Sequence, residues 1–392
     1  MSDAFILSAC RTPLGKYRGS LSSLTSTELG AIAVREAVAR AGVVPADVDE
    51  VIMGNVLSAG VGQAPARQAA LGAGLPPTVA ALTVNKVCGS GLKAVMLAAQ
   101  GVRCGDVVVV VAGGMESMSR APWLLARDAA AVEKELMIDS MLYDGLTCPF
   151  TDRSMGEIAE SLAGRARISR DDQDRYALES HRRAIAARDG SAFVGEIVPV
   201  TMKRGAENVV IAQDEGPRGD TSCEKLAGLK PSFRDDGTIT AGNSSMISDG
   251  AAAVVVASEA IASRSGVRPL ARIVSAATSG GEPGDVFTAP VEAIRQVVSK
   301  GGISLSDVDL FEINEAFAVQ MLACMRELGL PPERVNVLGG AIALGHPIGA
   351  SGARVLVTLV HALKQRSARY GVAALCLGGG NAVAMLIERV ED

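Results

Sequence analysis

Aromatic side chains are scarce in this chain of 392 residues: they make up 3%, with one tryptophan, while hydrophobic residues reach 48%. The apolar content is therefore small and aliphatic, and 43 glycines let the backbone be used tightly. Charged residues make up 21%, too much apolar balance for a disordered chain, and the glycines follow no triplet period, which excludes collagen. No apolar run approaches the ~20 residues of a membrane helix; Val107 to Ala112 is among the longest. The opening residues lack the basic segment and apolar stretch of a leader, so a soluble, cytoplasmic protein with no membrane partner is expected. Runs of arginine or lysine are missing too, and the formal net charge is −5, which argues against a nucleic-acid partner. Histidine is rare: His181, His346 and His361 are the three, and no two stand at i, i+4. With no CxxC pair either, spacing proposes no metal site. Seven cysteines, an odd number, fit a reducing compartment better than a disulfide framework.

What is present is a regular alternation of strand-length apolar runs with alanine-rich helical segments, the pattern of α/β layers. Strands are predicted at Ala4 to Ser8, Glu50 to Met53 and Val107 to Ala112, and helices at Thr27 to Ala41 and Gly91 to Gln100. The second half repeats the order, with strands at Arg272 to Ser275, Leu310 to Ile313 and Ala373 to Leu377, and helices at Val291 to Val298 and Ala353 to Leu363. Short similarities run in the same sequence in both halves. Ile6-Leu-Ser-Ala resembles Ile273-Val-Ser-Ala, and Asp47-Val-Asp resembles Asp307-Val-Asp. Ser90-Gly-Leu-Lys resembles Ser351-Gly-Ala-Arg, and Val111-Ala-Gly-Gly resembles Leu377-Gly-Gly-Gly. The nearly constant offset predicts duplicated α/β halves. Between them, Ser119 to Thr240 shifts to charged helical pieces (Ser154 to Arg167, Asp171 to Arg188) and turn-rich segments. An excursion of that length is expected to be a covering or substrate-binding subdomain.

Four stretches could carry chemistry. In Asn85-Lys-Val-Cys88-Gly-Ser-Gly, the sulfur would sit at a helix N-terminus, where the dipole and free N–H groups favour the thiolate. A small buried cysteine is the plainer alternative. The pattern Gly89-Ser-Gly91-Leu-Lys-Ala also matches a loose dinucleotide signature, but Asp106 precedes its strand where an acid should end it. In Gly345-His346-Pro347-Ile-Gly349-Ala-Ser-Gly352, proline and glycines suit an imidazole aimed from a loop, at the duplicate position to the cysteine turn. In Leu375-Cys376-Leu-Gly378-Gly-Gly380, a buried strand delivers a second thiol into a turn whose N–H groups can meet an oxyanion. In Glu312-Ile-Asn314-Glu315-Ala-Phe317, Asn314 could orient a water or carbonyl, or serve only as a helix N-cap. Cys10, Cys104, Cys148, Cys223 and Cys324 have no comparable setting and read as structural.

Together these stretches resemble the thiolases, and the resemblance runs from Arg11-Thr-Pro-Leu-Gly to the C-terminus. It implies an α/β fold of duplicated halves in a five-layered αβαβα sandwich with an inserted loop domain. The halves would be residues 1–118, completed by about 241–268, and 269–392, with the loop domain at 119–240. By resemblance Cys88 takes the acyl group, His346 activates it and Cys376 is the second acid/base. Asn314, holding a water with His346, would make one oxyanion site, and the N–H groups of Cys88 and Gly378 the other. Leu146, Met155, Ala316 and Phe317 would line the acyl channel, and Arg218, Leu229, Phe233, Ala241 and Ser245 would contact coenzyme A. The implied reaction condenses two acetyl-CoA to acetoacetyl-CoA and CoA, reversibly, through an acyl-cysteine. A degradative 3-ketoacyl-CoA thiolase for longer chains is the alternative. No permanently bound cofactor is expected, coenzyme A thioesters being substrates, and the family implies a homodimer or homotetramer. A condensing synthase on a carrier protein usually pairs its cysteine with two histidines, and only His346 has a loop setting here. The chain departs from the family pattern at Ser154, where histidine is frequent, and at Met246, where glycine is usual. It also carries Asn381-Ala382 in place of Met-Gly, and Val286-Phe287 where relatives have an acyl-lining methionine. These departures bear on acyl-chain preference.

Overall fold

The fold is taken from a computed structural model that describes residues 3–128, 133–205 and 207–391. In the first half, β1 (Ala4–Arg11), α1 (Ser26–Ala41), β2 (Glu50–Gly54), α2 (Pro65–Gly72), β3 (Ala80–Val84), α3 (Ser90–Cys104) and β4 (Val109–Ser117) follow one another. The long excursion carries α4 (Met155–Ala166) and α5 (Arg170–Asp189) before β5 (Ser248–Ser258) returns to the sheet. The second half holds β6 (Ala271–Gly280), α6 (Ala289–Lys300), β7 (Leu310–Ile313), α7 (Ala318–Leu328), α8 (Ile348–Gln365), β8 (Tyr370–Leu377) and β9 (Asn381–Arg389). Helix ends follow local chemistry. At α1, Thr25 and Glu28 form a reciprocal capping box, and Gly42 closes the helix at φ 64°, where a side chain would be strained.

A ten-stranded sheet runs β7-β8-β9-β6-β1-β5-β4-β2-β3, the tenth strand, Gly15–Lys16, pairing on β5. Outward from the β1–β6 junction the two halves read alike. β5 and β9 are antiparallel to β1 and β6, β4 and β8 antiparallel to those, and β2 and β7 parallel to β4 and β8. The counterpart of β3 is reduced to one parallel bridge between Phe311 and Val335. Irregularities repeat as well. The register slips between Ile6 and Ser8 in β1 and between Ile273 and Ser275 in β6. Ser8 Oγ donates to Ala37 O and Ser275 Oγ to Val297 O, both at 2.6 Å. Duplication explains a shared bulge, since an inherited irregularity keeps its place in the ladder.

The register corrects one sequence match. Val109 lies opposite Ala257 as Tyr370 lies opposite Glu388, so Val111 corresponds to Val372 and not to Leu377. The likeness between Gly113-Gly114, inside β4, and Gly378 to Gly380, after β8, is one of composition by chance.

The sheet folds at its β1–β6 junction around α3 and α8, which pack on each other and on strands of both halves. α1 covers the outer face of the first half and α6 that of the second, giving five layers. Strand burial alternates between cores: Val110 and Ala112 face the central helices, Val109 and Val111 face α1, and Ala373 and Leu375 face inward while Val372 and Ala374 face α6. Covered on both faces, the strands read as unbroken apolar runs in the sequence.

Two boundaries move for a physical reason. α3 starts at Ser90 and α8 at Ile348, ahead of the expected Gly91 and Ala353. A Cβ on Gly91 would lie 2.7 Å from Ala353 N, and one on Gly352 would lie 2.3 Å from Leu92 N. Gly91, expected as the first helical residue, and Gly352, expected in a loop, are the reciprocal crossing points of the two central helices, which only a missing Cβ permits. Val107 to Ala112 shifts to Val109–Ser117, extending under the site. No helix among the described residues is long and apolar enough to cross a membrane.

Candidate active site

The sharp turn from β3 into α3 presents the first thiol. Val87 holds φ 47°, a left-handed conformation that is costly for a β-branched residue. Its N–H donates to Asn85 Oδ1 at 3.0 Å, and its carbonyl accepts from the Ser90 hydroxyl at 2.6 Å, which also accepts from Lys86 N at 2.8 Å. Gly89 is the N-cap, so Cys88 stands just outside the helix. The expected low thiol pKa is not found. Burial pushes the Cys88 thiol up to about 12, against the N–H groups of Cys88 and Gly378 that pull it down, and the buried Glu116 adds to the rise. In a dry wall, desolvation outweighs the helix terminus.

His346 comes from the other half, immediately before α8, with Pro347 as N-cap. Its N–H donates to Met246 O at 2.9 Å. Its Nδ1 lies 2.5 Å from Ser351 Oγ, and that hydroxyl donates to Pro347 O at 2.9 Å. A hydroxyl has one proton to give, so Ser351 accepts from Nδ1–H, which leaves Nε2 with its lone pair. Burial first, and Arg354 second, lower the His346 pKa to about 3. The imidazole is therefore neutral at physiological pH, with Nε2 unprotonated.

Asn314, fully buried at the end of β7, places Nδ2 3.4 Å from His346 Nε2, while its Oδ1 has no hydrogen-bond partner among the described residues. It caps no helix, because the N-cap of α7 is Phe317. Cys376, near the end of β8, is buried, and burial followed by the nearby Cys88 and Cys324 raises its pKa well above the ordinary thiol value. Gly379 and Gly380 take φ 84° each, turning the backbone so that the Gly378 N–H reaches the Cys88 sulfur.

Cys88, His346, Cys376 and Gly378 line one cavity of about 280 Å³ together with Leu146, Met155, Ala316 and Phe317. Asn314 stands behind it, against the histidine. A second cavity of about 640 Å³ contains Arg218, Leu229, Phe233, Ala241 and Ser245, and the two share Phe233 and the Ser244 to Ile247 strip. The structure thus brings together every residue the sequence nominated. Lys16, Lys225 and His181 also line the second cavity, the last accepting from Arg218 N at 3.2 Å, with burial and Arg218 lowering its pKa to about 4. Of the other cysteines, Cys10, Cys148 and Cys324 are buried, but Cys104 and Cys223 are exposed and hold no packing role.

Three neighbours of the site escaped the sequence reading. Ser351 sits in a stretch read for its glycines. His181 lies in a charged helix, where it counted only as a rare histidine. Glu116 ends a buried strand, and an acid closing an apolar run was the signal available. The departures also find places. Ser154 forms the capping box of α4 with Glu157 while lining the first cavity. Met246 carries the carbonyl that holds His346, and Phe287 packs edge-to-face on Phe317 at 5.2 Å.

A cysteine turn from one α/β half, facing a histidine loop from its duplicate, is the arrangement of a thiolase-fold enzyme. The chain belongs to the thiolase family: residues 4–260 match the thiolase N-terminal domain and residues 267–389 the thiolase C-terminal domain. Within the family it is similar to acetyl-CoA acetyltransferases. The enzyme of that name from Pseudomonas aeruginosa is 50% identical over 392 residues, covering 99% of this chain and 100% of the relative. The crystal structure of the Bacillus anthracis acetyl-CoA acetyltransferase superposes with a TM-score of 0.97 at 44% identity, covering 100% of this chain and 99% of that one. A thiolase of Ascaris suum in complex with coenzyme A superposes at 0.94, also at 44% identity, covering 99% and 100%.

Proposed function

We propose that this enzyme is an acetyl-CoA C-acetyltransferase that joins two acetyl-CoA into acetoacetyl-CoA and CoA, reversibly, through an acetyl thioester on Cys88. The observation that carries the reading is the shared cavity in which two thiols and a neutral imidazole meet, with two backbone N–H groups directed at the first sulfur. His346 Nε2 takes the Cys88 proton as the sulfur attacks the acetyl carbonyl. The carbonyl oxygen becomes an oxyanion facing the N–H groups of Cys88 and Gly378. Cys376 gives its proton to the departing CoA sulfur and is left as a thiolate. A second acetyl-CoA then loses a methyl proton to Cys376, its enolate oxygen being held by His346 and by a water on Asn314. The enolate carbon attacks the acetyl-cysteine, the C–S bond to Cys88 breaks, and His346 returns the proton. Burial that raises both thiols suits this cycle, because each thiolate exists only while it is needed.

The second cavity supports coenzyme A as the handle. Arg218, Lys16 and Lys225 offer cations for phosphates, and Leu229 and Phe233 offer apolar surface for pantetheine or adenine. We read residues 119–240 as the loop domain covering the site. The exposed Trp123, Ile138, Leu142 and Phe150 on it support a homo-oligomer, a dimer or tetramer as the resemblance implies. Seven free cysteines support a cytoplasmic location.

Short acyl groups are favoured by the wall of Phe233, Phe287 and Phe317, whose rings meet edge-to-face at 6.4 and 5.2 Å. Thiolysis of a ladder of 3-ketoacyl-CoA substrates is expected to peak at four carbons. A maximum at eight or more would replace the proposal with the degradative long-chain reading. Phe287→Ala is expected to raise the C8:C4 ratio of kcat/KM ~10-fold or more, each added methylene in an apolar pocket being worth about 1 kcal/mol or more.

The hydroxyl of Ser351 fixes which imidazole nitrogen bears the proton. Ser351→Ala is expected to lower kcat about tenfold with KM for acetyl-CoA unchanged, the modest cost of an orienting hydrogen bond. Steady-state acetyl transfer checks it.

A further inference from the structure

The two essential side chains belong to different halves, and something must hold those halves in register at the site. Glu116, at the end of β4, is fully buried and lines neither cavity. Its Oε1 accepts from Asn55 Nδ2 at 2.7 Å and Leu57 N at 3.3 Å, and its Oε2 accepts from Val56 N at 3.0 Å. The fourth donor crosses between halves: Gly349 N, in the first turn of α8, donates to Oε2 at 2.9 Å. A carboxylate there complements the unpaired N–H groups and the dipole of the helix that begins two residues after His346.

The backbone around this bond has no slack. A Cβ on Gly114 would lie 2.1 Å from Gly349 O, and one on Gly54 would lie 2.7 Å from the same atom. The N-terminus of α8 is thus wedged against the ends of β2 and β4. Val56 and Leu57, held by the carboxylate, pack with Ile348, and Cys88 lies against the same cluster. Resting on the function proposed above, we propose that Glu116 is a positioning residue that clamps the His346 loop to the Cys88 half and so sets the imidazole opposite the sulfur. It touches no substrate, and its effect passes through Gly349.

Glutamine tests this, because it keeps the size and reverses one end. Whichever way the amide lies, its NH₂ faces two donors, either Val56 N and Gly349 N or Asn55 Nδ2 and Leu57 N. Glu116→Gln is expected to lower kcat and the single-turnover rate of Cys88 acetylation together by ~30-fold, with KM for acetyl-CoA within threefold. Glu116→Asp, too short to reach both Gly349 and the Val56–Leu57 turn, is expected to lose at least tenfold. It is the deciding variant if glutamine prevents folding. Wild-type kcat in either variant, even with a lowered Tm, overturns the proposal and leaves Glu116 a structural acid only. A loss seen only in KM overturns it equally. Wild-type protein that fails to acetylate Cys88 sinks the functional reading and this inference with it, whereas active wild type beside equally active variants removes the inference alone.

Discussion

Cys88→Ser is expected to abolish acetyl transfer, a loss of order 10⁵-fold in kcat, while Cys376→Ser still accepts acetyl from labelled acetyl-CoA and fails mainly in condensation. The two thiols share a cavity and a raised pKa, yet their settings differ. Cys88 has its own N–H and that of Gly378 directed at the sulfur, whereas Cys376 has its own N–H alone, so the paired donors for a tetrahedral oxyanion stand at Cys88. A serine hydroxyl cannot replace it, since its proton is held far more tightly than a thiol's and the imidazole at hand is a weak base. In the proposed cycle Cys376 moves protons. Its substitution slows donation to the leaving CoA and removes the base for the second acetyl-CoA, but leaves the acceptor sulfur and its donors untouched. Peptide mapping after incubation with radioactive acetyl-CoA reads the difference: label on the Cys88 peptide in wild type and in Cys376→Ser, and none in Cys88→Ser. Equal loss of label in both variants would contradict this division of roles. The pH dependence follows with its sign. Because burial raises the Cys88 thiol to about 12, alkylation by iodoacetamide in the free enzyme is expected to keep rising from pH 7 to 10 with no plateau near neutrality.

The constellation was legible because the chemistry sits in backbone punctuation. A cysteine, a histidine and a second cysteine each stand beside glycines that the surrounding apolar runs do not need, and duplication put two of them at matching ends of matching helices. What could not be read is how those glycines act. Gly91 read as a helix start and Gly352 as a loop residue, because a sequence shows a missing side chain but not the partner that approaches it. The thiol pKa failed for a related reason. A helix N-terminus is visible in a sequence, whereas the dryness of the wall around Cys88 arises from Met118, Leu146 and Ile348, drawn from three distant segments. Glu116 and Ser351 were hidden because their work is done through hydrogen bonds to residues 233 and five positions away. The match of Val111 with Leu377 shows the opposite error, in which glycine-rich composition imitates homology that the strand register denies.

His346→Asn is expected to lower kcat of order 10³-fold and to flatten the acid side of the stability profile, two effects of one buried imidazole. The first follows from Nε2, which Ser351 leaves unprotonated and which Asn314 borders; asparagine can hold an oxyanion or a water but cannot carry the Cys88 proton. The second follows from linkage. Burial and Arg354 lower this pKa from the ordinary value near 6.5 to about 3. Below ~6.5 the unfolded chain takes up a proton that the folded chain refuses, so stability is full above that pH and falls until about 3. Between pH 7 and 5 the cost is about 2 kcal/mol at ~1.4 kcal/mol per pH unit below the unfolded pKa. Glu116 and Glu312 work the other way. Burial raises them to about 7 and about 8, so their share is present below ~4.5 and lost as pH rises through those values. Wild type alone therefore gives a mixed curve, and the comparison must be between proteins. Removing His346 takes away its own acid-sensitive share and leaves that of His181, whose pKa is lowered to about 4, so the stability of His346→Asn relative to wild type should improve as pH falls from 7 to 5. Urea unfolding at the two pH values measures it. A difference that stays constant would mean that the imidazole titrates normally and would overturn the lowering of its pKa by burial.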